Sequence, residues 1–152
     1  MSGFQIRKRI LGIDLGKARV GVAVSDELAM LAHPVETIAA TSDVVARIAE
    51  IVTAKEVERV VVGLPRHMNG EMGAGANEAL AFAKKLQSRV RCEVVTWDER
   101  LTTVAATRAL QESGRKARNS RSVVDQVAAQ IILQSYLDAS AGGHEPNTAG
   151  EP

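Results

Sequence analysis

The sequence predicts an α/β fold: a mixed five-stranded sheet that opens with an antiparallel hairpin and carries helices packed on both faces. Two observations predict it. Two β-rich runs, from Ile10 to Leu15 and from Arg19 to Ser25, are joined by three residues, and so short a connection requires antiparallel pairing. Two further valine-rich runs, 58–63 and 94–97, then alternate with stretches of helical periodicity, the signature of βαβ crossovers and parallel strands.

Each element follows in order. Ile10-Leu11-Gly12-Ile13-Asp14-Leu15 is apolar except for Asp14, Gly16-Lys17-Ala18 supplies a turn, and Arg19 to Ser25 is β-rich again. A weaker third strand is expected near Val35 to Ile38. Thr41-Ser42-Asp43 offers N-cap chemistry ahead of Val44, Ile48, Ile51 and Val52 at helical spacing. Glu58 to Gly63 reads as a buried strand that runs into a loop from Leu64 through Gly75. Asn77 to Arg89 is expected to be helical, with Leu80, Ala83 and Leu86 on one side. Val94 to Trp97 is the next strand, followed by Asp98-Glu99-Arg100. A helix from Thr102 to Glu112, a basic polar loop from Ser113 to Ser120 and a last helix from Ser122 to Asp138 complete the domain, 1–138. Residues 139–152, rich in Gly, Ala and Pro without periodicity, are expected to form a disordered tail. The order β-β-(β)-α-β-α-β-α-α is the plan of an RNase H-like domain, although other α/β folds share its early elements.

Composition narrows the function. A chain of 152 residues fits one domain and can bury roughly 70% of its unfolded surface without a staple. Cys92 is the single cysteine, which rules out an internal disulfide and suits a reducing compartment. No apolar run approaches a membrane span, and the first nine residues hold no apolar signal-peptide core, so a cytoplasmic location is expected. Aromatics at 3% force a core of Val, Ile, Leu and Ala and argue against a binder that stacks bases on aromatic platforms. The net charge of +1 says little, but residues 84–121 hold ten basic side chains against four acids. Such an excess suits phosphate contacts, although for any one residue a solvated helix face is the plainer role.

Three acids stand out. Asp14 sits in an otherwise apolar strand, where a carboxylate is costly unless a metal ion or hydrogen-bond donors neutralise it. The alternative role is a strand-end carboxylate bonding the hairpin-turn amides, helped by Gly12 and Gly16. Asp98-Glu99 ends another strand, where a Glu can ligate a metal or either acid can favour the N-terminus of the helix that follows. Asp125 fits a looser capping box, Ser122-Val123-Val124-Asp125, yet helical spacing also puts it on the face of Ala128, Ala129 and Ile132. Two alanines there let the helix approach the sheet closely. Acids on a first strand, a later strand end and a late helix are what a two-metal phosphodiesterase needs. The three histidines are scattered and lack zinc-ligand spacing, and no nucleophile–histidine pattern competes.

Five motifs in order resemble the YqgF family, also called RuvX. They are Gly12-Ile13-Asp14-Leu15-Gly16; Arg19 to Asp26; Val62-Gly63-Leu64-Pro65 with Asn69-Gly70; Asp98-Glu99-Arg100-Leu101-Thr102-Thr103; and Asp125 with Ala128-Ala129 and Ile132 to Leu137. The resemblance runs from about Arg9 to Asp138. It implies an RNase H-like fold related to bacterial Holliday junction resolvases, with activity on branched DNA or in maturing the precursor of small-subunit ribosomal RNA. By motif position, Asp14, Glu99 and Asp125 would be the catalytic acids holding one or two Mg²⁺ or Mn²⁺ ions. Arg19 and Arg100 match basic positions beside two of them, and Gly63-Leu64-Pro65 would line the substrate groove. Asn69 stands where the family often has Asp and is not counted as a ligand, and Asp98 could exchange roles with Glu99. Arg100, Arg115, Lys116, Arg118 and Arg121 are candidates for positioning backbone phosphate, the last four in a loop expected to order on substrate.

Two rivals remain. A Gly-x-Asp-x-Gly hairpin also cradles phosphate in actin-like and sugar-kinase ATPases, but those need two such domains and this chain holds one. A non-catalytic nucleic-acid-binding or assembly factor would keep the fold without turnover, yet gains nothing from acids clustered near phosphate. A symmetric junction cut requires two active sites, so a homodimer would favour resolution.

Overall fold

A computed structural model describes residues 9–66, 69–102 and 120–141, with the side chains of the last segment described from Gln126 to Ser140. Strands β1 (Arg9–Leu15), β2 (Arg19–Ser25), β3 (Ala32–Ala39), β4 (Val57–Leu64) and β5 (Glu93–Asp98) form one sheet in the order β3-β2-β1-β4-β5. β1 runs antiparallel to β2 and parallel to β4, β2 is antiparallel to β3, and β4 is parallel to β5. The expected mixed sheet with an opening hairpin is therefore the one that forms. Around it lie α1 (Val44–Ala54), α2 (Ala74–Gln87), a single 3₁₀ turn at Glu99–Leu101, and α3 (Ser120–Ala141).

The local reasons are legible residue by residue. The α1 helix begins where the Asp43 carboxylate accepts the Ala46 amide at 3.1 Å, satisfying a donor that the first turn leaves open. It buries Val45, Ile48, Ile51 and Val52, and Glu56 at φ +53° then turns the chain into β4. The α2 helix starts at Ala74, earlier than Asn77, because the small residues Ala76 and Ala79 extend its buried face back through a glycine-rich stretch. β3 is longer than Val35 to Ile38, and its register against β2 shifts between Val22 and Ala23, next to the partner of Pro34.

The α3 helix departs from expectation at both ends. It starts at Ser120, so Ser122 lies inside the helix and not at its cap, and it continues to Ala141, so the tail expected from 139 opens with helical residues. The expected helix over 102–112 and the basic loop over 113–120 lie outside the described residues, apart from Thr102, which ends the 3₁₀ turn, and Ser120, which opens α3.

Strand alternation sorts the interior into two cores. Leu11, Ile13, Val60 and Val62 face α1 and α2, while Ile10, Val61, Val95 and Trp97 face α3. The α3 face is bound at short range. A Cβ placed on Gly12 would stand 2.7 Å from Leu133 Cβ and 3.2 Å from the Ala129 carbonyl oxygen, so glycine is what permits the contact. A row of glutamines four residues apart then ties α3 to edge strand β3. Gln126 Nε2 donates to Thr37 Oγ1 at 3.1 Å, Gln130 Nε2 to the Ala32 carbonyl at 3.0 Å, and Gln134 Oε1 accepts the Ala32 amide at 2.9 Å. These bonds occupy polar groups that an edge strand would otherwise offer to other chains. Among the described residues no helix is long and apolar enough to cross a membrane.

Candidate active site

Parallel strands β1, β4 and β5 end on the same side of the sheet, at Leu15, Leu64 and Asp98. Sites on open α/β sheets lie beyond such carboxyl ends. Asp14 is the penultimate residue of β1 and is 2% exposed. It follows Gly12 by one strand period and so shares the face that meets α3. The ladder pairs Ile13 with Val62, which brings Asp14 and Gly63 side by side on adjacent strands.

Gly63, beside Asp14 on the next strand, is the residue that Glu99 reaches. A Cβ on it would lie 2.7 Å from Glu99 Oε2 and 2.6 Å from Ile132 Cδ1. The Glu99 carboxylate therefore occupies the volume that any larger residue at 63 would fill. Val95 and Trp97 also face α3, and the 3₁₀ turn beyond β5 carries Glu99 back over that face. Asp14 and Glu99, distant in sequence, thus border one glycine.

The turn that presents Glu99 is fixed on both sides. Ahead of it, Asp98 Oδ1 accepts the Arg100 amide at 2.9 Å. Behind it, the Glu99 carbonyl accepts the Thr102 amide at 3.0 Å and Thr102 Oγ1 at 2.8 Å. Ser135 Oγ on α3 donates to the Leu101 carbonyl at 3.2 Å and accepts Trp97 Nε1 at 3.0 Å. Trp97 in turn stands edge-on to Tyr136, with ring centroids 5.5 Å apart.

Asp98 is held differently from Glu99. Its carboxylate takes Arg100 Nη2 at 2.7 Å and Nε at 3.0 Å, and Arg66 Nη1 lies 3.5 Å away. Burial works to raise its pKa, but the Arg100 side-chain and backbone hydrogen bonds and the two arginine charges outweigh it and hold the carboxyl below its ordinary value. Arg66 also closes the loop after β4, donating from Nε and Nη2 to the Gly70 carbonyl at 3.1 and 2.8 Å. Sequence reasoning passed over Arg66. The available signal was a basic residue directly after Gly63-Leu64-Pro65, at the strand edge that also carries Asp98.

The other sequence candidates divide by position. Arg19 opens β2 just after the hairpin turn, and its carbonyl accepts the Gly16 amide at 3.0 Å. A Cβ on Gly16 would meet that oxygen at 2.5 Å, so the turn needs glycine there. Arg100 lies at the site edge with its guanidinium engaged by Asp98, so it reaches a phosphate only as half of an ion pair. Asp125 lies in the second turn of α3, on the stripe that Ala128, Ala129 and Ile132 continue into the core; its side chain is outside the described set. Arg121 is likewise placed by backbone alone, and Arg115, Lys116 and Arg118 lie outside the described residues. Asn69 does not join the carboxylates: its Oδ1 accepts the Glu71 amide at 2.9 Å in a loop turn.

The donor chemistry fits a hard divalent cation, since Asp14 and Glu99 offer carboxylate oxygens and Gly63 leaves room for one of them. Among the described residues no three such groups converge, Asp125 being the third candidate.

The family model for RuvX, described as Holliday junction resolvase, matches residues 8–139. A protein from Acetivibrio thermocellus named "Putative pre-16S rRNA nuclease" is 47% identical over 135 residues, covering 86% of this chain and 96% of its own. One from Nocardia farcinica with the same name is 49% identical over 141 residues, covering 87% and 78%. Among solved structures, the fold is similar to Thermus thermophilus RuvC in complex with Holliday junction substrate, at TM-score 0.58 and 17% identity over 93% of this chain and all of that one. The fowlpox virus Holliday junction resolvase aligns at TM-score 0.50 and 14% identity over 86% of this chain and 99% of that one. The fold is the RNase H-like fold of these resolvases.

Proposed function

We propose that this chain, which belongs to the RuvX family, is a metal-dependent nuclease that hydrolyses phosphodiester bonds in structured nucleic acid. Its substrates are the 5′ region of the 16S rRNA precursor, four-way DNA junctions, or both. The observation that carries the reading is that the Glu99 carboxylate fills the space left by the missing Cβ of Gly63, the residue next to Asp14 on the adjacent strand.

Asp14, Glu99 and Asp125 are the groups that would hold Mg²⁺ or Mn²⁺. When bound, one or two such ions supply the positive charge that activates a water and stabilises the leaving oxygen of an in-line displacement. The chain's own residues do the rest. The short contact of α3 with Gly12 fixes the helix bearing Asp125 against the strand bearing Asp14. The turn bonded to Thr102 and Ser135 holds Glu99 over Gly63. Arg19 and Arg100, with Arg115, Lys116, Arg118 and Arg121 before and within the start of α3, would align the backbone through phosphate contacts, which set register without reading bases. Water attacks the phosphorus in line, and the 3′ oxygen leaves to give 3′-hydroxyl and 5′-phosphate ends.

The test is cleavage of an end-labelled 16S rRNA precursor fragment and of a labelled four-way junction, with Mg²⁺ or Mn²⁺. Wild type is expected to cut at least one of them, and Asp14→Asn to cut it slower by about 10²- to 10³-fold, the scale on which one charge-stabilising group acts. If wild type and variant bind both substrates equally and neither cuts with either ion, the chain is an assembly factor.

A further inference from the structure

The reaction leaves one well-bonded carboxylate of the site, Asp98, without a part. We propose that Asp98 is a positioning residue for Glu99, and that Arg66 and Arg100 clamp it so that Gly70 and the turn after β5 are held together. The proposal rests on the nuclease reading, in which Glu99 belongs to the active site.

Three observations carry it. First, the Asp98 oxygens are already taken. Oδ1 accepts the Arg100 amide at 2.9 Å and Arg100 Nε at 3.2 Å, while Oδ2 accepts Nε at 3.0 Å and Nη2 at 2.7 Å, geometry that competes for the lone pairs a metal would use. Second, those bonds cap the single turn on which Glu99 sits, so the direction of the Glu99 side chain depends on them. A glutamate reaches its target through three rotatable bonds, and a displacement of about 1 Å in a catalytic group costs on the order of 10²-fold in rate. Third, the clamp closes on itself. Arg66 binds the Gly70 carbonyl through two donors, Gly70 holds φ +92°, and a Cβ there would come within 3.4 Å of Arg100 Nη1. Gly70, Arg66, Asp98 and Arg100 therefore form one circuit at the strand ends.

Asp98→Asn and Asp98→Ala separate the parts. Asparagine keeps an oxygen for the Arg100 amide but loses the charge pairs, whereas alanine loses both. In the full chain, on the substrate that wild type cuts, kcat is expected to fall about 10-fold for Asp98→Asn and about 100-fold for Asp98→Ala, the range for groups that orient a ligand. KM is expected to change less than kcat, by no more than about 3-fold, the part that reaches substrate through the Arg100 guanidinium that Asp98 holds. Arg66→Gln is expected to match Asp98→Asn. Calorimetric Mn²⁺ binding is expected to weaken in Asp98→Ala but less than in Glu99→Gln. Three results would overturn the proposal: Asp98→Ala cutting at the wild-type rate, KM rising with kcat unchanged, or Asp98→Asn losing Mn²⁺ as fully as Glu99→Gln, which would make Asp98 the ligand. A crystal structure of Asp98→Ala gives a readout independent of turnover. If the Glu99 carboxylate still lies over Gly63, Asp98 does not position it, whatever becomes of the nuclease reading.

Discussion

The two faces of the sheet differ in which partner carries the small residues. Towards α1 and α2 the strands present Leu11, Ile13, Val60 and Val62, and the helices answer with Ile48, Ile51 and Leu86 together with the small Ala76, Ala79 and Ala83. Towards α3 they present Gly12, Ala23 and Gly63 among larger residues, and the helix answers with Ala128 and Ala129 and with the large Ile132, Leu133 and Tyr136. On the first face the strands supply the large side chains, and burial of apolar area contributes about 25 cal/mol per Å². On the second, Gly12 and Gly63 give up side-chain volume on the strands so that Leu133 and Ile132 of α3 can come close. Asp14 and Glu99 both lie on this second face, so the site stands where strand glycines set the distance to the helix.

Placing a methyl group on each glycine of the α3 face breaks the comparison most directly. Gly12→Ala meets Leu133 Cβ and the Ala129 carbonyl, neither of which can rotate away, so α3 itself must shift. We expect a loss of about 3 kcal/mol, at the upper end of overpacking costs, in urea unfolding. Gly63→Ala meets the far ends of two side chains, Ile132 and Glu99. Stability should fall by only about 1 kcal/mol. Turnover should fall by roughly 30- to 100-fold, because the carboxylate has to vacate its place. A Gly63→Ala protein that is as unstable as Gly12→Ala, or that cuts normally, would show that closeness here serves packing alone.

Much of this architecture was legible beforehand, because it depends on local patterns. The three-residue turn at 16–18 dictates the hairpin, and Ala128-Ala129 with Ile132 at helical spacing marks the stripe that reaches the sheet. Asp14 stood out because a carboxylate in an apolar strand needs a reason. The rest depends on contacts between segments far apart in the chain. Nothing in Asp98-Glu99 says which acid turns over Gly63, since that follows from the direction of one 3₁₀ turn. Arg66 gains its meaning only once Gly70 and Asp98 are beside it. The early start of α2 hides in Ala74-Gly75-Ala76, whose composition reads as loop until Ala76 and Ala79 are seen buried.

The far end of the α3 face sharpens the contrast with the smallest expected effect. Between β2 and β3, Asp26 Oδ1 accepts the amides of Leu28 and Met30 at 2.9 and 3.0 Å, and Oδ2 accepts that of Leu31 at 3.0 Å. The loop so formed holds Ala29 at φ +57° and offers the Met30 carbonyl to Gln134 of α3 at 3.0 Å. The Met30 amide bond, against the opposing effect of burial and with help from the Leu31 and Leu28 amides and the His33 charge, lowers the Asp26 pKa from its ordinary value. A carboxyl depressed in the folded state contributes stability that is present above its unfolded pKa, about 3.9, and lost as pH falls through the folded value. Asp26→Asn can keep the Oδ1 bonds but turns an amide donor towards the Leu31 N–H. It is expected to cost about 1 kcal/mol at pH 7, a figure that allows for solvent screening of an exposed group. The gap between variant and wild type should narrow below about pH 4, with cleavage at pH 7 unchanged. A variant that loses turnover while its melting temperature holds would mean that this end of α3 is coupled to the strand ends where Asp14 and Glu99 lie, and that the helix acts as a lever and not as a fixed wall.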